Sequence, residues 1–115
     1  MEFSVGVRQH GRHTVVTVSG EVDLSTATAF RDVSLEAMDS ADGDLIVDLA
    51  DVTFIDSTGL SALVLVRREI DSRERRMALV ATRKAQAILK ISGLESSFEL
   101  HPNLASALGH YGDSA

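Results

Sequence analysis

The chain reads as an α/β domain whose sheet is mixed but mostly parallel, with helices packed on it, in the order ββαβαβαβα. Three observations predict this. Segments with apolar residues at three- and four-residue steps alternate with short apolar or every-other-residue runs, the pattern of helices alternating with strands. Residues 45–49 (Leu-Ile-Val-Asp-Leu) and 77–81 (Met-Ala-Leu-Val-Ala) are apolar almost throughout, as strands covered on both faces are. The first two runs flank a short turn, so the sheet opens with an antiparallel hairpin, whereas the crossovers that follow demand parallel pairing.

Taken in order, Phe3, Val5 and Val7 alternate with Ser4, Gly6 and Arg8, which gives a half-buried first strand. Residues 9–13 are the turn, and residues 14–19, rich in β-branched side chains, the second strand. Ser25 is placed to cap a helix with the apolar stripe Ala27, Phe30, Val33, Ala37 and Met38, which residues 39–43 break. After the third strand a helix runs to about Ser72, its inward side drawn by Leu60, Leu63, Val64, the stem of Arg67, and Ile70. The fourth strand leads to a short helix over residues 83–91, with Ile88, Leu89 and Ile91 inward and Gly93 as its stop. Residues 98–100 make a brief edge strand. Pro102 starts a last helix through about Gly109 with Leu104 and Leu108 buried, and residues 111–115 are expected to form a frayed tail. No repeat or linker divides the chain, so one domain over residues 1–115 is expected, with its core at about 3–110.

Composition narrows the function. At 115 residues and 44% hydrophobic content the chain can bury a core without staples. It has no cysteine, which excludes disulfide scaffolds, thiolate metal sites and cysteine nucleophiles, and fits a reducing cytoplasm. No apolar run approaches a bilayer span, and no basic start precedes an apolar block, so neither a membrane nor a signal peptide is expected. The net charge of −6 disfavours nucleic acid and anionic lipid. The stretch from Arg67 to Arg76 holds five cations against three anions, which reads as a solvated helix end whose cations complement the C-terminal dipole.

The densest signal is Asp56-Ser57-Thr58-Gly59-Leu60-Ser61, between the third strand and the second helix. A hydroxyl at a helix N-terminus lies beside free backbone N–H groups and the positive end of the macrodipole. Such a position suits a phosphate, and it equally suits a simple cap. The residues by themselves leave both roles open for Ser57 and Thr58. Gly59, lacking a Cβ, is expected to let a partner approach closely. Glu21 and Asp23, on a loop expected near Ser57, are candidates for meeting a partner's cations, with cap chemistry for the first helix as their alternative role.

Enzyme readings fit poorly. A nucleophile elbow needs Gly-x-Ser-x-Gly, yet Ile55 and Asp56 precede Ser57. His10 and His13 fall in the hairpin turn, and His101 and His110 flank the last helix, so no triad layout emerges. A receiver domain would need an acidic pair after its first strand and a lysine near its fifth, but the only lysines are Lys84 and Lys90. A metal site lacks a carboxylate near His10 and His13, and no phosphate-binding glycine loop is present. No catalytic residue, metal or cofactor is expected.

One ordered set of motifs carries a resemblance. Gly20-Glu21-Val22-Asp23, Ser25-Thr26-Ala27, Val47-Asp48-Leu49, Phe54-Ile55-Asp56-Ser57-Thr58-Gly59-Leu60 and Gly93-Leu94-Glu95-Ser96-Ser97-Phe98 together resemble the anti-sigma factor antagonist family, the stand-alone STAS domains of bacterial partner switching. The likeness spans Phe3 to about Tyr111. It implies a non-enzymatic regulator that, when unmodified, binds an anti-sigma factor that is also a serine kinase, and so frees a sigma factor. By position, the kinase would phosphorylate Ser57 and a PP2C-type phosphatase would reverse it. The implied partner surface is Glu21, Asp23, Ser25, Thr26, Asp56, Ser57, Thr58 and Gly59. Ser61 stands where glycine is frequent in that family, and residues 73–76 (Arg-Glu-Arg-Arg) replace its commoner glycine-containing turn. The alternative within the same fold is a non-switching scaffold, or a subunit of a stress-sensing or lipid-transport assembly.

Overall fold

The hairpin forms first in the chain and at one edge of the sheet. Strands β1 (Ser4–His10) and β2 (His13–Val22) pair antiparallel from Ser4↔Ser19 to His10↔His13. Their turn is tighter than the sequence suggests, with only Gly11 and Arg12 between the strands, because Gly11 adopts a left-handed φ of 63°. The remaining order is α1 (Ala27–Asp39), β3 (Leu45–Ile55), α2 (Ser57–Ser72), β4 (Met77–Val80), α3 (Arg83–Ile91), a 3₁₀ turn (Glu95–Ser97), β5 (Glu99–His101) and α4 (Leu104–His110). This computed structural model describes residues 2–110 (at His110 the backbone only), so the tail expected from Tyr111 to Ala115 lies outside the described residues.

The five strands run in the order β1-β2-β3-β4-β5, and every pair after the hairpin is parallel. Neighbouring residues of a strand face opposite ways, which divides the core in two. Val16, Val18, Val47 and Leu79 pack with Phe30 and Met38 of α1, Leu63, Val66 and Ile70 of α2, and Leu89 of α3. Val15, Ile46, Ala78 and Val80 point the other way and meet Ala107 of α4. The continuous apolar reading of β3 and β4 reflects this double cover.

Several details depart from the sequence reading. The buried face of α1 is Ala27, Phe30, Ser34 and Met38, with Val33 and Ala37 only partly covered. Ser34 is fully buried, and its hydroxyl has no hydrogen-bond partner among the described residues. In α2, Ala62 and Val66 are buried, while Leu60 and Val64 lie at the margin. Ile91, expected inward, is 88% exposed, because the helix turns Ala85 and Leu89 to the core instead. In α4 the small Ala107 is buried, and Leu104 and Leu108 only partly so. The fifth strand is shifted by one residue to Glu99–His101, with Phe98 buried just before it.

Two helices end in the same way. After α3, Gly93 at φ 74° lets the Leu94 N–H reach the Leu89 carbonyl and its own N–H reach Lys90. After α2 the corresponding residue is Glu74 at φ 58°, with Arg75 N–H bonded to Ile70 and Glu74 N–H to Asp71. A side chain thus occupies a left-handed position that glycine takes at no steric cost. The arginines around it act as braces more than as solvated charges. Arg73 pairs with Asp39 at 2.9 Å, Arg75 donates to the Met38 carbonyl at 2.9 Å, and Arg76 reaches Glu99 at 2.9 Å. Arg67 donates to the Ser97 carbonyl and lies 5.8 Å from the Phe98 ring centre.

Candidate functional site

Strands β2 and β3 are parallel neighbours and finish level, with Val22 opposite Ile55. The segments that leave them must therefore emerge side by side beyond the carboxyl ends of the sheet, the usual place for binding in α/β folds. One of these segments carries Glu21 to Thr26 and the other Asp56 to Gly59. The Asp56 N–H donates to the Val22 carbonyl at 3.2 Å, which ties the two together.

At the start of α2 the cap is Asp56. Its backbone is extended, and its Oδ1 accepts from the Gly59 N–H at 2.9 Å while its carbonyl accepts from Leu60 N–H at 2.9 Å. Ser57, the first helical residue, is exposed, and its hydroxyl has no hydrogen bond among the described residues. The alternative of Ser57 serving as the cap is thereby set aside. Thr58 is half-buried beside it. Gly59 is buried, and a Cβ there would stand 2.4 Å from the Val22 carbonyl oxygen and 2.9 Å from Ile55 Cγ2. The expectation that Gly59 makes room for a partner needs correction: the space is filled by the end of β2.

The β2–α1 segment is held by its own side chains. Asp23 Oδ1 accepts from the Ser25 N–H at 3.0 Å and the Ser25 hydroxyl at 2.8 Å. The Thr26 hydroxyl donates to the Glu21 carbonyl at 2.8 Å and accepts from the Asp23 N–H at 2.9 Å. The two hydrogen bonds from Ser25 hold the Asp23 carboxyl below its ordinary pKa of 3.8, the Ser25 hydroxyl having the larger effect. The N-cap position of α1 is held by Thr26, whose side chain is spent on this loop, and Ser25 is not the cap expected from the sequence. Glu21 is half-buried, and its side chain has no hydrogen bond or ion pair among the described residues.

Around this polar pair of loops lie apolar groups that sequence periodicity does not mark. Leu24 is 79% exposed at the tip of the β2–α1 loop, and Phe54 is 47% exposed two residues before Asp56. A leucine between Asp23 and Ser25, outside any strand or helix period, was the available signal for the first. On the other side, α1 and α2 leave a cleft of ≈ 120 Å³ lined by Thr28 and Arg31 of α1 and by Thr58, Ser61 and Leu65 of α2. Among the described residues no group of three His, Asp or Glu side chains is arranged to hold a metal ion. No helix among them is long and apolar enough to cross a membrane.

The STAS domain profile matches residues 4–107. The chain belongs to the STAS domain family. Among relatives of this STAS domain, the anti-sigma-F factor antagonist RsfB of Mycobacterium tuberculosis is 28% identical over 106 residues, covering 92% of this chain and 87% of its own. A crystal structure of an anti-sigma factor antagonist from Mycobacterium paratuberculosis superposes with a TM-score of 0.87 at 28% identity, over 96% of this chain and 95% of that one. The murine Slc26a9 anion transporter contains the same fold, with a TM-score of 0.79 at 17% identity over 91% of this chain and 18% of that one. At that identity only the fold is shared, so the STAS scaffold does not by itself select a function.

Proposed function

We propose that this STAS domain is an anti-sigma factor antagonist of the cytoplasm, a regulator and not an enzyme. In its unmodified form it binds an anti-sigma factor that is also a serine kinase and thereby frees the sigma factor. Phosphorylation of Ser57 ends that binding, and a PP2C-type phosphatase restores it. The contact surface is built from Glu21, Asp23, Ser25, Thr26, Asp56, Ser57 and Thr58, with Gly59 fixing its base. The observation that carries this reading is the Ser57 hydroxyl, exposed and unengaged at the mouth of α2 because Asp56 has taken the capping role. The relatives named above as antagonists support the same reading.

Phosphate adds a charge of about −1.5 to −2 and three acceptor oxygens. The free N–H groups of the helix start tolerate that charge locally, so the fold survives it. An interface packed on Ser57 does not, because burying an uncompensated dianion costs several kcal/mol. Asp56 and the net charge of −6 add to the repulsion. The test is intact-mass analysis after incubation with the anti-sigma kinase and ATP. Wild type is expected to gain one phosphate and Ser57→Ala none; equal labelling of both removes Ser57 as acceptor. In calorimetry, Ser57→Ala should retain kinase binding and Ser57→Glu should lose at least about tenfold.

A further inference from the structure

The outer face of α3 (Arg83–Ile91) is exposed and cationic. The helix holds Arg83, Lys84 and Lys90, including both lysines of a chain whose net charge is −6. All three are exposed, and none has an ion pair or hydrogen bond among the described residues. Arg83 and Lys84 occupy the first turn, where the positive end of the macrodipole disfavours cations, and no acidic residue offsets them there. Ile91, the last residue of the helix, shares their face, 88% exposed and the most open large apolar side chain among the described residues. At about 100° per residue, Lys90, Arg83, Ala87, Ile91 and Lys84 fall within one arc of about 120°, opposite the buried Ala85 and Leu89. The macrodipole at Arg83 and Lys84 and the exposure of Ile91 both count against this arrangement in a free protein, although Lys90 is well placed in the last turn, and one occupant reverses both.

We propose that the outer face of α3 docks an acidic segment of another protein, with carboxylates meeting Arg83, Lys84 and Lys90 and an apolar side chain packing on Ala87 and Ile91. The surface belongs to a different helix from Ser57, so it is a second contact and not part of the phosphoswitch. An acidic protein segment fits better than a polyanion. A nucleic acid or an anionic bilayer presents extended negative charge, which the remainder of this acidic molecule repels. Neither makes specific use of one exposed isoleucine among three cations, whereas a protein segment offers a finite charge and a matching apolar group.

Fluorescence anisotropy of the full chain with a labelled synthetic peptide of glutamates interrupted by leucines tests this. Wild type is expected to bind the peptide, with affinity falling about tenfold between about 0.15 M and about 0.5 M salt. Arg83→Glu/Lys84→Glu should weaken binding about tenfold or more, while the charge-matched control Arg8→Glu/Arg68→Glu should not. Ile91→Ser should weaken it at constant charge, and Ser57→Glu should leave it unchanged. Thermal melting within a few degrees of wild type establishes that each variant is folded. Equal loss in the two charge-reversed variants overturns the proposal, as does indifference to Ile91→Ser. Tighter binding to duplex DNA or to phosphatidylserine vesicles than to the peptide overturns it too. So does a wild-type dimer in sedimentation equilibrium that Arg83→Glu/Lys84→Glu dissolves.

Discussion

Helices α2 and α3 begin alike and differ in what their first turns offer. Each follows a parallel strand, and each has a capping side chain that accepts from the N–H three residues on, Asp56 from Gly59 at 2.9 Å and Thr82 from Ala85 at 3.3 Å. In α3 the hydroxyl is itself the cap and is consumed by that role. In α2 a carboxylate caps, and the hydroxyls of Ser57 and Thr58 come after it. A serine or threonine at a helix start is thus structural or available according to the residue before it. The residue at the third helical position differs as well: Ala85 fits at α3, whereas Gly59 is pressed against Val22.

The largest effect should come from giving α2 the residue that α3 has. Gly59→Ala places a Cβ 2.4 Å from backbone oxygen, so urea denaturation should show a loss of about 2–3 kcal/mol. A loss under about 0.5 kcal/mol would mean that the two helix starts are interchangeable there. Removing the caps comes next. Asp56→Ala and Thr82→Ala should each cost about 1 kcal/mol, with the carboxylate cap the stronger on its shorter bond. Ser57→Ala should change stability by less than about 0.5 kcal/mol, since an uncapping hydroxyl contributes little. A larger loss would return Ser57 to the role of cap.

The smallest effect is one of pH. Asp23 has its pKa lowered on folding, so its contribution is full above its unfolded value and fades as pH falls through the lower folded one. The loop beside α2 should therefore hold unchanged down to about pH 4. Carboxyl chemical shifts should titrate with a midpoint under 3.8, and a midpoint above that value would contradict the Ser25 hydrogen bonds.

The order and type of β1–β5 and α1–α4 were legible, because strands covered on both faces and helices with one apolar stripe leave strong periodic traces, whereas the 3₁₀ turn over Glu95–Ser97 left none. What failed to show were choices made in three dimensions. Ile91 has a hydrophobic spelling yet faces out, since Ala85 and Leu89 set the phase of a nine-residue helix. Ser34 is polar and buried, where packing between α1 and the sheet outweighs its hydroxyl. The sequence named Ser57 and its neighbours by motif, but the residues alone could not say which side chain caps α2, since that depended on which one reached the Gly59 amide. Leu24, Phe54 and Leu65 escaped because no period distinguishes an exposed apolar group from a buried one.

The wedge of Gly59 against Val22 has a further consequence. It presses the exit of β2 against the first turn of α2, the helix that follows the neighbouring strand β3, so the two loops share one mount at their base. Leu24, Phe54 and Ser61 hang from that mount without holding it together. Their side chains can therefore change without loosening the pair of loops, whatever those loops meet.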